Sequence, residues 1–418
     1  MLSLVIFLIL TFNLLRNYCK WVIVILSLCP FFMQFLLWQQ NLLTYLLLLI
    51  SILFPFKCKK PISYSLYGFP LKWACIAIGV SLFATNYFAS YENKHTPIML
   101  YMIVQNAIVL YIFYYLYKKD PNKVCKIFIT TNFIFGMITC LYCLFEGVFK
   151  INPYIELMNS IKVYDAFDHS EVRHGIKRVQ AFYSIYTSIT GLALYLIPLL
   201  ISYVRSKGNV WKAKYSIYLF LLFVMLFFSG MRSGIVCITI CLMTFMNKRM
   251  LIPKNIFISI LLSGIIAIFF YDYLYSFIDS MVHTDKVDGS TEDVRETQWT
   301  IAFLSFADSP IWGQGINYTF TDLAIRYPQL AGADSLWISL LVDQGIIGVI
   351  SYLIFFISLL IFIYKQYSQL CFFVIGVLCS QTIATITSFP ITHIFFYILI
   401  MIYLKNNKLI TNHKPASY

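Results

Sequence analysis

Twelve apolar runs constrain this chain more than any other feature, at residues 21–37, 41–56, 71–90, 97–117, 124–147, 186–204, 215–229, 233–247, 255–273, 336–364, 370–387 and 391–404. A helix crosses a bilayer with about 20 apolar residues, over a range of roughly 17–25. Residues 1–15 form a further, shorter run with no basic segment before it and no small-residue cleavage site after it. We read it as a first span and not as a cleaved leader. The expectation is an all-α polytopic integral membrane protein with about 12–13 transmembrane helices, built as a single membrane domain over residues 1–418.

Composition agrees. Only 12% of residues are charged, against roughly 25% in an average soluble domain, and the mean hydropathy is +0.78. The net charge of +13 does not point to nucleic acid, because the basic residues sit in short clusters between apolar runs, as topology signals do. Those clusters are Arg16/Lys20, Lys57/Lys59/Lys60, Lys118/Lys119/Lys123, Arg205/Lys207/Lys212/Lys214, Lys248/Arg249/Lys254, Lys365 and Lys405/Lys408/Lys414. All fall on one side, assigned to the cytoplasm. Of the 18 acids only Asp120 shares a loop with them. The N-terminus is then outside and the C-terminus inside. Two long polar loops, 148–185 and 274–335, face outward. The inward connections are too short for a nucleotide-binding domain, and no internal repeat marks a repeat-built transporter.

The cysteines lie in apolar runs or basic loops, so no disulfide framework is expected; Cys140 and Cys143 are read as packing within a helix. The histidines have no metal-ligand spacing, and neither metal nor cofactor is expected.

Chemistry then belongs to the outer face. Arg232 lies in a tight turn, Ser229-Gly230-Met231-Arg232-Ser233-Gly234, between two spans. A cation there either snorkels to a headgroup or meets an anionic ligand. Arg295 opens a helix over residues 295–307 that Asp308-Ser309-Pro310 should end. Its acidic neighbours leave a solvated salt bridge as the plainer account. Arg173 and Arg178, with His174 and Lys177, close the first long loop and could meet a headgroup or a pyrophosphate. Asp334 is explained as the N-cap of the helix that begins at Leu336. Asp343 lies nine residues further on, roughly 13 Å along the axis. Its expected partner is an outward arginine.

The turn around Arg232, the Arg295-x-x-x-Trp299 pair, Pro310-x-x-Gly313-x-Gly315 and Asp334-Ser335…Asp343-Gln344-Gly345-Ile346-Ile347-Gly348, in that order, resemble the O-antigen polymerase and ligase superfamily. Asp343, Gly345 and Gly348 fill the family's Glu-x-Gly-x-x-Gly positions, and Arg178-Val179-Gln180-Ala181-Phe182 is similar to its arginine segment before a span. The resemblance implies a GT-C-like glycosyltransferase of the bacterial inner membrane, its site facing the periplasm. Its substrate would be an undecaprenyl-pyrophosphate-linked oligosaccharide, handled beside a flippase and a chain-length regulator. It places Arg232 and Arg295 on the pyrophosphate with Arg178 as a third, and Arg173, Trp299 and Asp343 along the substrate. Asp334 becomes the base or the group that orients the acceptor. Ligases carry a histidine near that point, so Asp334 favours a polymerase. A ligase and a lipid-linked oligosaccharide flippase remain as alternatives.

Overall fold

The computed structural model describes residues 2–28, 36–37, 40–58, 68–89, 96–160, 172–173, 176–183, 187–208, 210, 212–245, 292–327, 335–383 and 391–412. The expected span at 255–273 and Asp334 lie outside them. The described chain is all-α apart from two antiparallel pairs of two-residue strands, Leu36–Leu37 with Gln40–Asn41 and Val172–Arg173 with Ile176–Lys177.

The helices are α1 (Leu2–Arg16), α2 (Tyr18–Leu28), α3 (Leu42–Lys57), α4 (Lys72–Phe88), α5 (Thr96–Lys119, with a π-helical turn at Val104–Ile108), α6 (Pro121–Phe149), α7 (Pro153–Ser160), α8 (Thr187–Ser206), α9 (Ala213–Phe228), α10 (Arg232–Met243), α11 (Glu292–Asp308), α12 (Asp322–Arg326), α13 (Leu336–Tyr367), α14 (Cys371–Ile383) and α15 (Ile394–Asn412). Thr96–Lys119, Pro121–Phe149, Thr187–Ser206 and the run Leu336–Thr382 are long and apolar enough to cross a membrane, and several shorter apolar helices accompany them. The last run is a hairpin. Trp337 Nε1 donates to Thr382 Oγ1 at 3.0 Å, across 45 residues of sequence, so α14 returns alongside α13. The protein is a multi-pass membrane protein.

Local signals set the ends. Asp120 caps α6 by accepting from Lys123 N at 3.0 Å, with Pro121 in the first turn. Lys150 closes the same helix in the left-handed region, φ 58°. α2 covers the start of the second expected span, and most of the rest of that span lies outside the described residues.

The core sits around α8. Every residue from Ser188 to Leu200 is buried, the mark of a helix enclosed by others. α15 is its main neighbour and is equally enclosed from Ile394 to Ile402. Tyr195 stacks on Tyr397 at 4.6 Å, and Tyr397 Oη donates to Asn132 Oδ1 at 2.9 Å, which ties α6 to α15. Cys140 and Cys143 are buried in this packing, as expected.

Contacts join loops that the charge pattern assigns to the same side. At the basic end Lys57 Nζ donates to Leu15 O at 3.3 Å, Arg205 Nη2 to Phe245 O at 2.6 Å, and Lys405 Nζ lies 3.5 Å from the Tyr367 ring centre. At the other end Phe88 meets Trp312, and Arg178 meets Gly230.

Candidate functional site

Two irregular segments carry the motifs, and each docks on a glycine with positive φ. The first is Arg178–Tyr183. It is buried throughout except at Phe182, which is partly exposed, and it is held from three sides. Val179 N donates to Phe228 O at 3.1 Å. The carboxylate of Glu146, in the last turn of α6, accepts from Gln180 N at 3.2 Å to each oxygen and from Ala181 N at 2.7 Å. Asn152 Nδ2 donates to Ala181 O at 2.9 Å. Asn152 itself is fixed, because its Oδ1 accepts from Tyr142 Oη at 2.9 Å and from Ile155 N at 3.1 Å. Ala181 sits at φ 49°, a conformation costing an L-residue roughly 1–2 kcal/mol. Such strain persists where the surroundings over-determine it, often at functional sites.

This clamp delivers Arg178. Its side chain is 2% exposed, and Nη2 donates to Gly230 O at 3.3 Å. Gly230 has φ 64°, and a methyl group there would come within 3.2 Å of Arg178 Cγ and Nε. The guanidinium thus lies flat on the turn that leads, two residues later, into Arg232, the first residue of α10. A methyl group on Gly234 would collide with Thr190 of α8, so the turn is seated closely against the central helix. Arg178 and the turn of Arg232 are brought together. Arg173 lies in the small strand pair upstream, opposite Ile176. The side chains of Arg173, Arg232 and Arg295 lie outside the described residues.

The second segment is Pro310–Gly315. α13 is broken at Gly345, φ 61° and ψ −158°, and a break frees carbonyls below it and N–H groups above it. The loop supplies both sets of partners. Gln314 N donates to Val342 O at 2.8 Å and Gly315 N to Asp343 O at 3.0 Å, while Ile346 N donates to Pro310 O at 3.0 Å and Ile347 N to Ile311 O at 3.5 Å. The fit is glycine to glycine: a methyl group on Gly345 would come within 2.6 Å of Gly313 N, and one on Gly313 would collide with the Asp343 carbonyl. Gln314 Nε2 ties the loop to α11 through Ser305 O at 2.7 Å. The Gly-x-Gly turn and the Asp-Gln-Gly motif are two halves of one joint.

Asp343 is buried beside this joint. Its Oδ1 accepts from Thr319 N at 2.7 Å and Thr319 Oγ1 at 2.6 Å. Among the described residues Thr319 is its partner; the side chains of Arg173, Arg232 and Arg295, among which a partner was expected, lie outside them. The cap of α13 differs from expectation: Ser335 Oγ accepts from Trp337 N at 3.3 Å, one residue after Asp334. α11 runs over Glu292–Asp308 and ends where Asp308-Ser309-Pro310 should end it. Arg295 is its fourth residue. Trp299 packs partly buried against a small core of Ile301, Ala302, Tyr318, Leu323, Ile338 and Val342, next to the carboxylate of Asp343. Sequence reasoning missed Glu146, Asn152 and Thr319. Glu146 did leave a signal: an acid in the last turn of an apolar helix opposes the helix dipole and needs donors of its own.

Among curated proteins none matches this sequence. Residues 217–353, which hold the Gly230 turn, α11 and the Gly345 joint, match the model of the Wzy_C family, described as O-Antigen ligase.

Proposed function

We propose that this protein is a polysaccharide (O-antigen) polymerase, joining oligosaccharide repeat units carried on undecaprenyl pyrophosphate at the periplasmic face of the inner membrane. The observation that carries the reading is the clamped Arg178 lying on the turn of Arg232, a turn within the segment that matches the family model. A guanidinium keeps its charge at any accessible pH and pairs with phosphate oxygens in bidentate fashion. Groups fixed before substrate arrives stabilise charge that develops as a leaving group departs. Here the leaving group is the lipid pyrophosphate, already activated, and a sugar hydroxyl displaces it with inversion at the anomeric carbon. Arg178 and Arg232 hold the pyrophosphate and Arg295 assists. Asp334 accepts or directs the acceptor's proton. Arg173, Trp299 and Asp343 line the path of the glycan. The absence of a histidine at the Asp334 position supports polymerase over ligase.

The ligase is the second reading, because the matched family model bears that description. One experiment separates the readings: the banding of surface glycan in a strain lacking this protein, rescued by wild type, Arg178→Ala or Arg232→Ala. A polymerase leaves lipid A-core with a single repeat unit, and only wild type restores the ladder. Bare core with long lipid-linked chains accumulating indicates the ligase. Single repeats trapped on the cytoplasmic side would defeat both and indicate a flippase.

A further inference from the structure

The second outer loop is expected in water, yet α11 is apolar on both sides in the turns around Phe303 and Leu304. Ile301, Ala302 and Ser305 face inward and are buried, while Phe303 and Leu304 on the opposite side are 55% and 65% exposed. A helix between core and water carries polar residues on its outer face. Glu296 and Thr297 do so near its start and Asp308 at its end, all exposed; Phe303 and Leu304 between them do not.

Two exposed stripes lead to this patch. On α4, Trp73, Ile76, Val80, Phe83 and Phe88 are exposed at steps of three to five residues. On α13, Ile346, Ile350, Leu353, Ile357 and Ile361 are exposed at steps of three and four. Each stripe is one face of an apolar helix, the face that a spanning helix turns to lipid. Both end at the Pro310–Gly315 loop. Phe88 packs on Trp312 at 5.1 Å between ring centres, and Ile346 N bonds Pro310 O. Ile311, 51% exposed, follows directly on Pro310. The loop leads back into α11, so exposed apolar residues continue from the spanning helices through Ile311 to Leu304 and Phe303, with exposed Asp308 at the helix end between them.

We propose that the turns of α11 around Phe303 and Leu304 are immersed in the outer leaflet of the bilayer, with phospholipid acyl chains covering Phe303, Leu304 and Ile311, while Glu296 and Asp308 reach headgroups and water. The helix is then a lipid-seated arm, and the Gly345 joint fixes it to the membrane domain. Arg295, nine residues before Leu304 and roughly 13 Å away along the axis, is carried by the same arm toward its polar end.

The full-length protein in phospholipid nanodiscs tests this. Spin labels are placed on Leu304→Cys, Phe303→Cys and, as the control on the same helix, Glu296→Cys, with unsubstituted protein giving the background from native cysteines. Relaxation by oxygen, which partitions into lipid, is compared with relaxation by a water-soluble nickel chelate. The expected result is strong oxygen and weak nickel relaxation at 303 and 304, with the reverse at 296. Equal nickel access at 304 and 296 would place the whole helix in water and overturn the proposal. Exclusion of both reagents at 303 and 304 would put a second copy of the chain on this face and overturn it as well. Two positions on the patch keep the test decisive if one substitution prevents folding.

Discussion

The two irregular segments solve one problem by different means. At Gly345 the loop and the broken helix satisfy each other through four backbone–backbone bonds, and no side chain is needed between them. At Gly230 the segment 178–183 is held largely by side chains: a buried carboxylate, Glu146, and a buried amide, Asn152. A backbone joint fixes the course of the chain but presents no chemistry. A clamp that grips the backbone of 180 and 181 leaves the neighbouring side chain, Arg178, to be aimed. The comparison assigns shape to the first joint and charge placement to the second, and substitutions can test that division.

The largest effect belongs to Gly345→Ala. The new methyl meets backbone atoms, Gly313 N and Ile311 O, each at 2.6 Å, which no rotamer change relieves. It also faces a positive φ. Strain and overpacking together should cost about 3 kcal/mol or more. We expect a large fall in melting temperature in detergent, with surface polymer lost because the outer loop no longer seats. A melting temperature close to wild type would show that the joint is not rigid and would remove its side of the comparison.

Glu146 comes next. Glu146→Leu leaves the N–H groups of Gln180 and Ala181 without their acceptor, at roughly 1–3 kcal/mol for each buried donor. Glu146→Gln keeps one oxygen and the volume. The polymer ladder should fall with Leu to the level of Arg178→Ala and stand between the two with Gln. If Glu146 acts by aiming Arg178, then Glu146→Gln added to Arg178→Ala changes activity no further. Additive losses at unchanged abundance would reduce Glu146 to general support of the fold.

Much of this arrangement could be read from the chain, and the reason is physical. Apolar run length dictates spans directly, so α4, α6, α8 and α13 appear where expected, and Asp308-Ser309-Pro310 marks the end of α11. Gly313 stood out as part of a turn signal and Arg178 as a cation beside a span, while Gly345 stood out only through the resemblance. What could not be read was pairing across the sequence. Nothing local says that Gly313 rests on Gly345, that Thr319 bonds Asp343, or that Glu146 reaches 34 residues forward to Gln180. Each depends on how helices distant in sequence come to lie side by side.

Gly230→Ala should have a smaller and more selective effect. Its methyl would meet only the flexible side chain of Arg178, at 3.2 Å, so that side chain can yield. The positive φ costs about 1 kcal/mol. Stability should drop by about that amount, while polymer synthesis drops further because the guanidinium is pushed off the turn. Equal, small losses in both would mean that the position of Arg178 does not matter to the reaction.

The smallest effect tests whether the backbone joint is self-sufficient. Ser81 Oγ of α4 donates to Gln344 Oε1 at 3.0 Å, next to the break at Gly345, and it is a side-chain bond that could be mistaken for the joint's support. Interhelical hydrogen bonds within membranes average about 0.6 kcal/mol, so Ser81→Ala should lower the melting temperature slightly and leave the glycan ladder intact. The four backbone bonds between the loop and α13 do not involve Ser81, and they should hold the break without it. A loss as large as that of Gly345→Ala would mean that α4 sets the break through Gln344. The two regions would then share one strategy, a side chain from a neighbouring helix fixing an irregular segment, and the division between shape and charge placement would fail.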